Sequence, residues 1–163
     1  GVDLLAEAFF KASGLLPCLR LLLVGDGPQA DCIHEILAPV GDKVHFPGRL
    51  SREDLPAAYG TADLFISPSH SDGSSISLLE ALACGCSALV SDIPANQEWV
   101  VPGETGGLFK DGDVDSLVTQ LLNMTLAGNR PAYGRRARAL AEARADWDQN
   151  FQKCLAAYQR ALG

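Results

Sequence analysis

No apolar run in this sequence approaches the roughly 18 residues that a membrane-spanning helix needs. The longest, Leu21–Val24 with its neighbours, suits a buried strand. The N-terminus, Gly1-Val2-Asp3, has neither a basic n-region nor an apolar h-region, so no secretory signal is expected there. It also lacks a starting Met, which points to a piece excised from a longer chain. Positive charge is scarce: 13 Lys and Arg face 20 Asp and Glu, a formal net charge of −7. That argues against nucleic acid as a partner, because gripping a phosphate backbone takes a concentrated positive surface. A small anionic ligand stays compatible, provided local groups outweigh the global field. The 5 cysteines are odd in number and scattered, which is no disulfide framework; they read as reduced thiols in the cytoplasm. Cys84-Gly85-Cys86 is half of a zinc motif without a second Cys/His cluster, and no metal is expected there.

What is present is one domain's worth of chain: 163 residues, 47% hydrophobic and 20% charged. Helix and strand patterns alternate. Val2–Ala12 repeats its apolar residues at helical period, and Leu21–Val24 is a strand ending at Gly25-Asp26-Gly27-Pro28. Pro28 fits the first turn of a helix running to about Ala38. Val44–Phe46 reads as a short strand before Pro47-Gly48. Ser51, with Asp54 three residues on, is a weak capping box for a helix reaching about Tyr59.

The same alternation continues. Asp63–Ser67 is a strand closed by Pro68, and Ser74 or Ser75 caps a helix through Cys84. Ser87–Ser91 is a strand, Ala95–Val100 a short helix and Gly107–Phe109 a strand. Asp113–Leu126, Arg130–Ala145 and Trp147–Leu162 make a helical C-terminal third. No linker or repeat divides the chain. The expected fold is α/β: a Rossmann-like parallel sheet with flanking helices. Ligands of such sheets sit at the carboxyl ends of the strands. The informative loops are therefore Gly25–Pro28, Pro47–Arg49, Pro68–Ser75 and Asp92–Gln97.

The strongest local signal runs from Pro68 to Ala81. A strand ends, a polar turn follows, and a helix begins near Ser75. The first N–H groups of a helix have no intrahelical partner and the dipole there is positive, so this is an anion site suited to phosphate or diphosphate. Ser74 and Ser75 are small enough for a ligand to approach the backbone. Glu80 lies about 7 Å further along, at about 1.5 Å of rise per residue. Its helix is otherwise apolar or small, and no cation stands three or four residues away. A carboxylate so placed is costly to bury alone and is expected to face a cleft. Spacing alone leaves open that Glu80 is simply solvated on a helix edge. It equally leaves Asp72 as a turn residue before Gly73, and Gly25-Asp26-Gly27 as a tight turn.

Several stretches together resemble the C-terminal domain of the retaining GT-B glycosyltransferases of family 4, the group 1 glycosyl transferases. They are Leu22–Pro28, Val44–Gly48, Ala62–Ser69, Leu79–Gly85 and Gly103–Leu108, in that order and at that spacing. Asp146-Trp147 and Tyr158 are similar to that family's closing helix. The family carries two acids separated by seven residues, and the matching pair is Asp72 and Glu80. Asp72 stands where Glu is usual, Ser74-Ser75 where Phe-Gly is common, and Ser87 where Pro is usual.

The resemblance implies that Asp72 holds the donor sugar and Glu80 the donor ribose. The N–H groups of Ser74, Ser75 and Ile76 would bind the diphosphate and sugar. Gly25 and Gly27 would belong to the same donor site, with Pro47 and Arg49 bordering the base. It implies transfer from a nucleoside diphosphate sugar to an acceptor hydroxyl, with retention and without metal or other cofactor. The family's first strand, normally central in the sheet, its Arg and Lys for the diphosphate, and its N-terminal acceptor domain all lie outside this sequence. Any peripheral membrane association would come through that acceptor domain.

Two other readings stand beside this one: a non-catalytic module that holds a nucleotide sugar, and a related GT-B enzyme such as a sugar-nucleotide epimerase or a glycogen/starch-type synthase. Among the remaining polar residues, His34 and His45 read as structural and His70 as a solvent-exposed loop residue. Arg135, Arg136, Arg138 and Arg144 read as a solvated helix face. Glu98-Trp99 lies in a loop that the family places near the donor.

Overall fold

The computed structural model describes residues 1–162. Helix α1 (Val2–Leu15) leads to β1 (Leu21–Val24), then α2 (Ala30–Leu37), a 3-10 turn (Ala38–Lys43) and β2 (Val44–Gly48). Next come α3 (Leu55–Thr61), β3 (Phe65–Ser67), α4 (Ile76–Ala83), β4 (Ala88–Ser91), α5 (Pro94–Gln97) and β5 (Gly106–Phe109). Three helices close the chain: α6 (Val114–Leu126), α7 (Arg130–Arg144) and α8 (Trp147–Leu162).

The strands are all parallel, as the alternation requires, but they form two pieces. One is β1–β2, in register from Leu21 opposite Val44. The other is β3–β4–β5, with Leu89 of β4 between Ile66 and Gly107. In the doubly wound order 3-2-1-4-5-6, these pieces occupy positions 3-2 and 4-5-6. Position 1, between β1 and β3, is where the resemblance places its first strand. Strands of a parallel sheet are normally covered on both faces. β4 meets that rule throughout, whereas Leu22 and Val24 of β1 are 41% and 36% exposed beside the break.

Alternation along β4 assigns its neighbours. Leu89 points to one face, with Phe109 of β5, and meets Leu4, Leu5, Ala8 and Ala12 of α1 and Leu117, Leu121 and Met124 of α6. Ala88 and Val90 point to the other face, toward Leu78 and Leu82 of α4 and Ala137 and Ala141 of α7. Each fully buried leucine here contributes about 2 kcal/mol by leaving water. α1 also serves the other piece: Ala6 and Phe9 pack with Ile33 and Leu37 of α2. One helix therefore bridges both parts of the sheet, because its apolar residues cover more than one face.

Element types agree with the sequence, and the boundaries differ in instructive places. Pro28 lies in the turn before α2, whose helical residues start only after Gln29. β2 extends through Pro47 to Gly48, so Pro47 belongs to the strand rather than to the loop. The N-cap of α3 is Asp54 rather than Ser51. Ser51 nevertheless makes the box contact, since its hydroxyl accepts from the Asp54 N–H at 3.2 Å and donates to the Asp54 carboxylate at 2.6 Å. α5 starts at Pro94 and ends at Gln97, shorter than its apolar pattern suggests. α8 buries none of its residues; Trp147, Phe151, Leu155, Tyr158 and Leu162 lie exposed at helical spacing. No helix of the described residues is long and apolar enough to cross a membrane.

Candidate functional site

Every loop that the sequence singled out leaves the carboxyl end of a strand. Gly25 and Gly27 follow β1, Arg49 follows β2, Asp72, Ser74 and Ser75 follow β3, and Asp92–Gln97 follow β4. The residues fall into two groups. Gly25, Gly27, Pro47 and Arg49 belong to the β1–β2 piece, tied together where the Gly25 N–H donates to the Gly48 carbonyl at 2.8 Å. Both glycines have positive φ, +129° and +73°, which a side chain would strain. Arg49 is exposed and makes no ion pair among the described residues. Asp72, Ser74, Ser75, Ile76 and Glu80 belong to the β3–α4 connection. No hydrogen bond among the described residues joins the two groups.

The start of α4 has the geometry that the sequence leads one to expect. Ser75 is the N-cap, buried and extended, and its hydroxyl accepts from the Leu78 N–H at 3.3 Å. That satisfies one of the four orphan donors of the helix. Among the described residues, the N–H groups of Ser74, Ser75, Ile76 and Ser77 donate to no protein acceptor. A second helix start borders the same loop. Gly1 is the N-cap of α1, and any side chain there would collide with the Pro68 carbonyl. Two helix dipoles thus present positive ends near residues 68–75. Asp72 is exposed in this loop, ahead of the free N–H groups.

Glu80 is half-buried in α4 and makes no ion pair among the described residues. It is not simply solvated: the Tyr59 hydroxyl donates to Glu80 Oε2 at 3.1 Å. Burial and the neighbouring Glu80 carboxylate push the Tyr59 hydroxyl up to about 12. Tyr59 was not singled out in the sequence, because nothing in the spacing links residues 21 apart on different helices.

A buried polar network supports the loop from below. The Ser91 hydroxyl donates to the Ser69 carbonyl. Asn96, 1% exposed, donates its amide to the Ser91 carbonyl at 2.9 Å and to the Ser91 hydroxyl at 3.2 Å. A Ser closing a strand and an Asn in an otherwise apolar turn were the signals available for it. His70 is half-exposed, as expected, but it is also held, with Nδ1 at 2.7 Å from Asp111 Oδ1.

Several other assignments are refined. His34 stacks on Phe46 with centroids 4.0 Å apart, a packing role, while His45 is exposed. Arg144 is not merely solvated: it lies 4.7 Å over the Trp99 ring and donates to the Glu98 carbonyl at 2.8 Å. Glu98 itself faces solvent, and Trp99 is a core residue. Ser87 is buried and donates to the Arg130 carbonyl at 2.6 Å, a bond that proline could not make. Cys86 is buried with its thiol donating to the Ala62 carbonyl, and burial pushes that thiol up to about 11.

The fold and this loop edge define a class: a Rossmann-like α/β domain with a helix start of unengaged N–H groups at the carboxyl ends of parallel strands. Residues 1–145 match the family described as Glycosyl transferases group 1, and the chain belongs to that family. The chain is 31% identical over 155 residues to sulfoquinovosyl transferase SQD2 of Arabidopsis thaliana, covering 90% of this chain and 29% of that protein. It is 29% identical over 156 residues to the GDP-mannose-dependent alpha-(1-6)-phosphatidylinositol monomannoside mannosyltransferase of Mycolicibacterium smegmatis, covering 90% and 39%.

Among solved structures it is similar to sucrose-phosphate synthase from Thermosynechococcus elongatus, with a TM-score of 0.86 at 26% identity, covering 96% of this chain and 42% of that one. Anabaena HepE in complex with UDP-glucose shares the fold, with a TM-score of 0.83 at 22% identity, covering 96% and 45%. The chain spans less than half the length of each of these proteins. The fold is that of the C-terminal half of a GT-B enzyme, as the sequence resemblance implies.

Proposed function

We propose that this chain is the donor-binding half of a retaining glycosyltransferase, which moves a sugar from a nucleoside diphosphate sugar to an acceptor hydroxyl. One observation carries the reading: the unengaged N–H groups at the start of α4 lie between Asp72 and Glu80 in sequence. In this reading the diphosphate sits on the N–H groups of Ser74, Ser75 and Ile76. Asp72 accepts from the sugar's hydroxyls, and Glu80 accepts from the ribose. Gly25 and Gly27 let the donor approach the backbone, and Pro47 and Arg49 border its base.

Departure of the diphosphate builds negative charge at the helix start. Fixed N–H dipoles there oppose that charge at no cost of reorganisation. The reaction so conceived needs no metal. The central strand and the Arg and Lys for the diphosphate belong to a segment outside this sequence, the acceptor site comes from a second domain, and the whole works in the cytoplasm.

A thermal-shift panel of UDP- and GDP-sugars on the full-length protein tests this. A matching donor raises the melting temperature, and Glu80→Ala weakens the response. An undiminished shift in Glu80→Ala removes Glu80 from the ribose role. The 163-residue chain by itself transfers no sugar, and measurable turnover by it would sink the two-domain account.

A further inference from the structure

We propose that Tyr59 is a positioning residue for Glu80: its hydroxyl holds one carboxylate oxygen, so that the other is presented, already oriented, to the vicinal hydroxyls of a nucleotide's ribose. The inference rests on the donor-site reading and adds to it a residue outside the connection between β3 and α4.

The geometry is specific. Tyr59 sits in the second turn of α3, and its ring meets Phe65 of β3 edge-on, with centroids 6.0 Å apart at 67°. That contact fixes the ring, and the hydroxyl then reaches Glu80 Oε2 at 3.1 Å. Glu80 has no cationic partner among the described residues, so this neutral donor is what orients it. An ionised carboxylate offers about four lone-pair sites on two oxygens. With Oε2 engaged, Oε1 keeps its full capacity, which suits two adjacent hydroxyl donors. The tyrosine stays protonated throughout the neutral range, because burial and Glu80 both disfavour its anion. Toward Glu80 it therefore acts as a donor, as the ribose hydroxyls would, but it occupies only Oε2.

The connection also has a direction. α3 follows directly from β2 and the segment holding Pro47 and Arg49. α3 packs against α4, and Tyr59 is the polar tie between them. Orientation in advance of binding raises affinity by removing the cost of fixing a flexible side chain.

The test compares affinities of the full-length protein for UDP and GDP with those for their 2′,3′-dideoxy forms. Measurements cover the wild type, Tyr59→Phe and Glu80→Gln. Tyr59→Phe keeps the ring against Phe65 and removes only the donor. It should weaken binding of the preferred ribonucleotide roughly three- to ten-fold, the range of one lost hydrogen bond, and leave the dideoxy form unchanged. The ratio of the two affinities is read on folded protein, so a loss of stability alone leaves it unmoved. A full wild-type ratio in Tyr59→Phe, with the ratio lost in Glu80→Gln, overturns the role of Tyr59 and keeps the donor-site reading. A wild type that does not discriminate ribose from dideoxyribose overturns both.

Discussion

The hydroxyl of Ser91, at the end of β4, donates to the carbonyl of Ser69 in the loop after β3, and the amide of Asn96 holds Ser91 from the other side. This pair fixes the loop that carries Asp72 to a strand buried on both faces. Asn96 lies in α5, so the connections after β3 and after β4 share one polar network. Asn96→Ala leaves the Ser91 carbonyl buried with one donor fewer. The expected cost is about 2 kcal/mol, which for a domain of this size is a fall of roughly 4–8 °C in melting temperature. Donor affinity should fall with it, because the loop loses its anchor. Calorimetry and nucleotide titration on the same variant check both. An unchanged affinity in a destabilised Asn96→Ala would separate the network from the site.

Two buried groups predict how stability declines in base. Tyr59 ordinarily loses its proton near 10 and in the fold does so near 12; Cys86 moves from 9.0 to about 11. Burial is the larger cause in each case, since it disfavours the anion. For both, the folded state keeps a proton that the unfolded state has given up. Stability therefore falls as pH rises through each window. It is fully present below about pH 9, the Cys86 contribution is lost between 9.0 and about 11, and the Tyr59 contribution between 10.0 and about 12. Urea midpoints across this range check the sign. Tyr59→Phe should flatten the upper part of the decline and Cys86→Ala the lower part. A decline of equal steepness in both variants would assign it to other groups.

Much of this arrangement is legible in the sequence because it depends on local rules. Strand alternation around Leu89, the Ser75 cap and the helical period of α1 each follow from neighbours a few residues apart. So does the placement of Asp72, Ser74 and Glu80 at the carboxyl end of β3. Tyr59 and Asn96 were missed for the opposite reason. Each acts on a residue of another element, and nothing in its own neighbourhood distinguishes a tyrosine that ends near a carboxylate from one that only packs. Arg144 shows the same limit: it sits among arginines that do face solvent, and only the fold brings it over Trp99. The division of the sheet at β1 and β3 was foreshadowed only by the resemblance. The sequences of those strands are apolar enough for either an edge or a centre.

The contrast between α7 and α8 gives a final expectation about where stability resides. Gly134 of α7 meets the carbonyl of Gly85, at the turn between α4 and β4, closely enough that a Cβ would collide with it. Two backbones thus touch where α7 covers the sheet. Gly134→Ala gains about 0.8–1.0 kcal/mol in helix propensity. The collision is with a backbone atom that cannot rotate away, and overpacking of that kind costs typically 1–3 kcal/mol. The clash should win, and the variant should melt lower. α8 is sixteen residues long and buries none of them. Ending the chain at Ala145 removes one bond that crosses from α8, the amide of Asn150 to the Arg144 carbonyl, but no core residue. Loss of the whole helix is therefore expected to lower the melting temperature of the 163-residue chain less than one methyl group at position 134 does. Thermal melts followed by circular dichroism decide it. A larger loss from the truncation would mean that the exposed stripe from Trp147 to Leu162 is covered in solution.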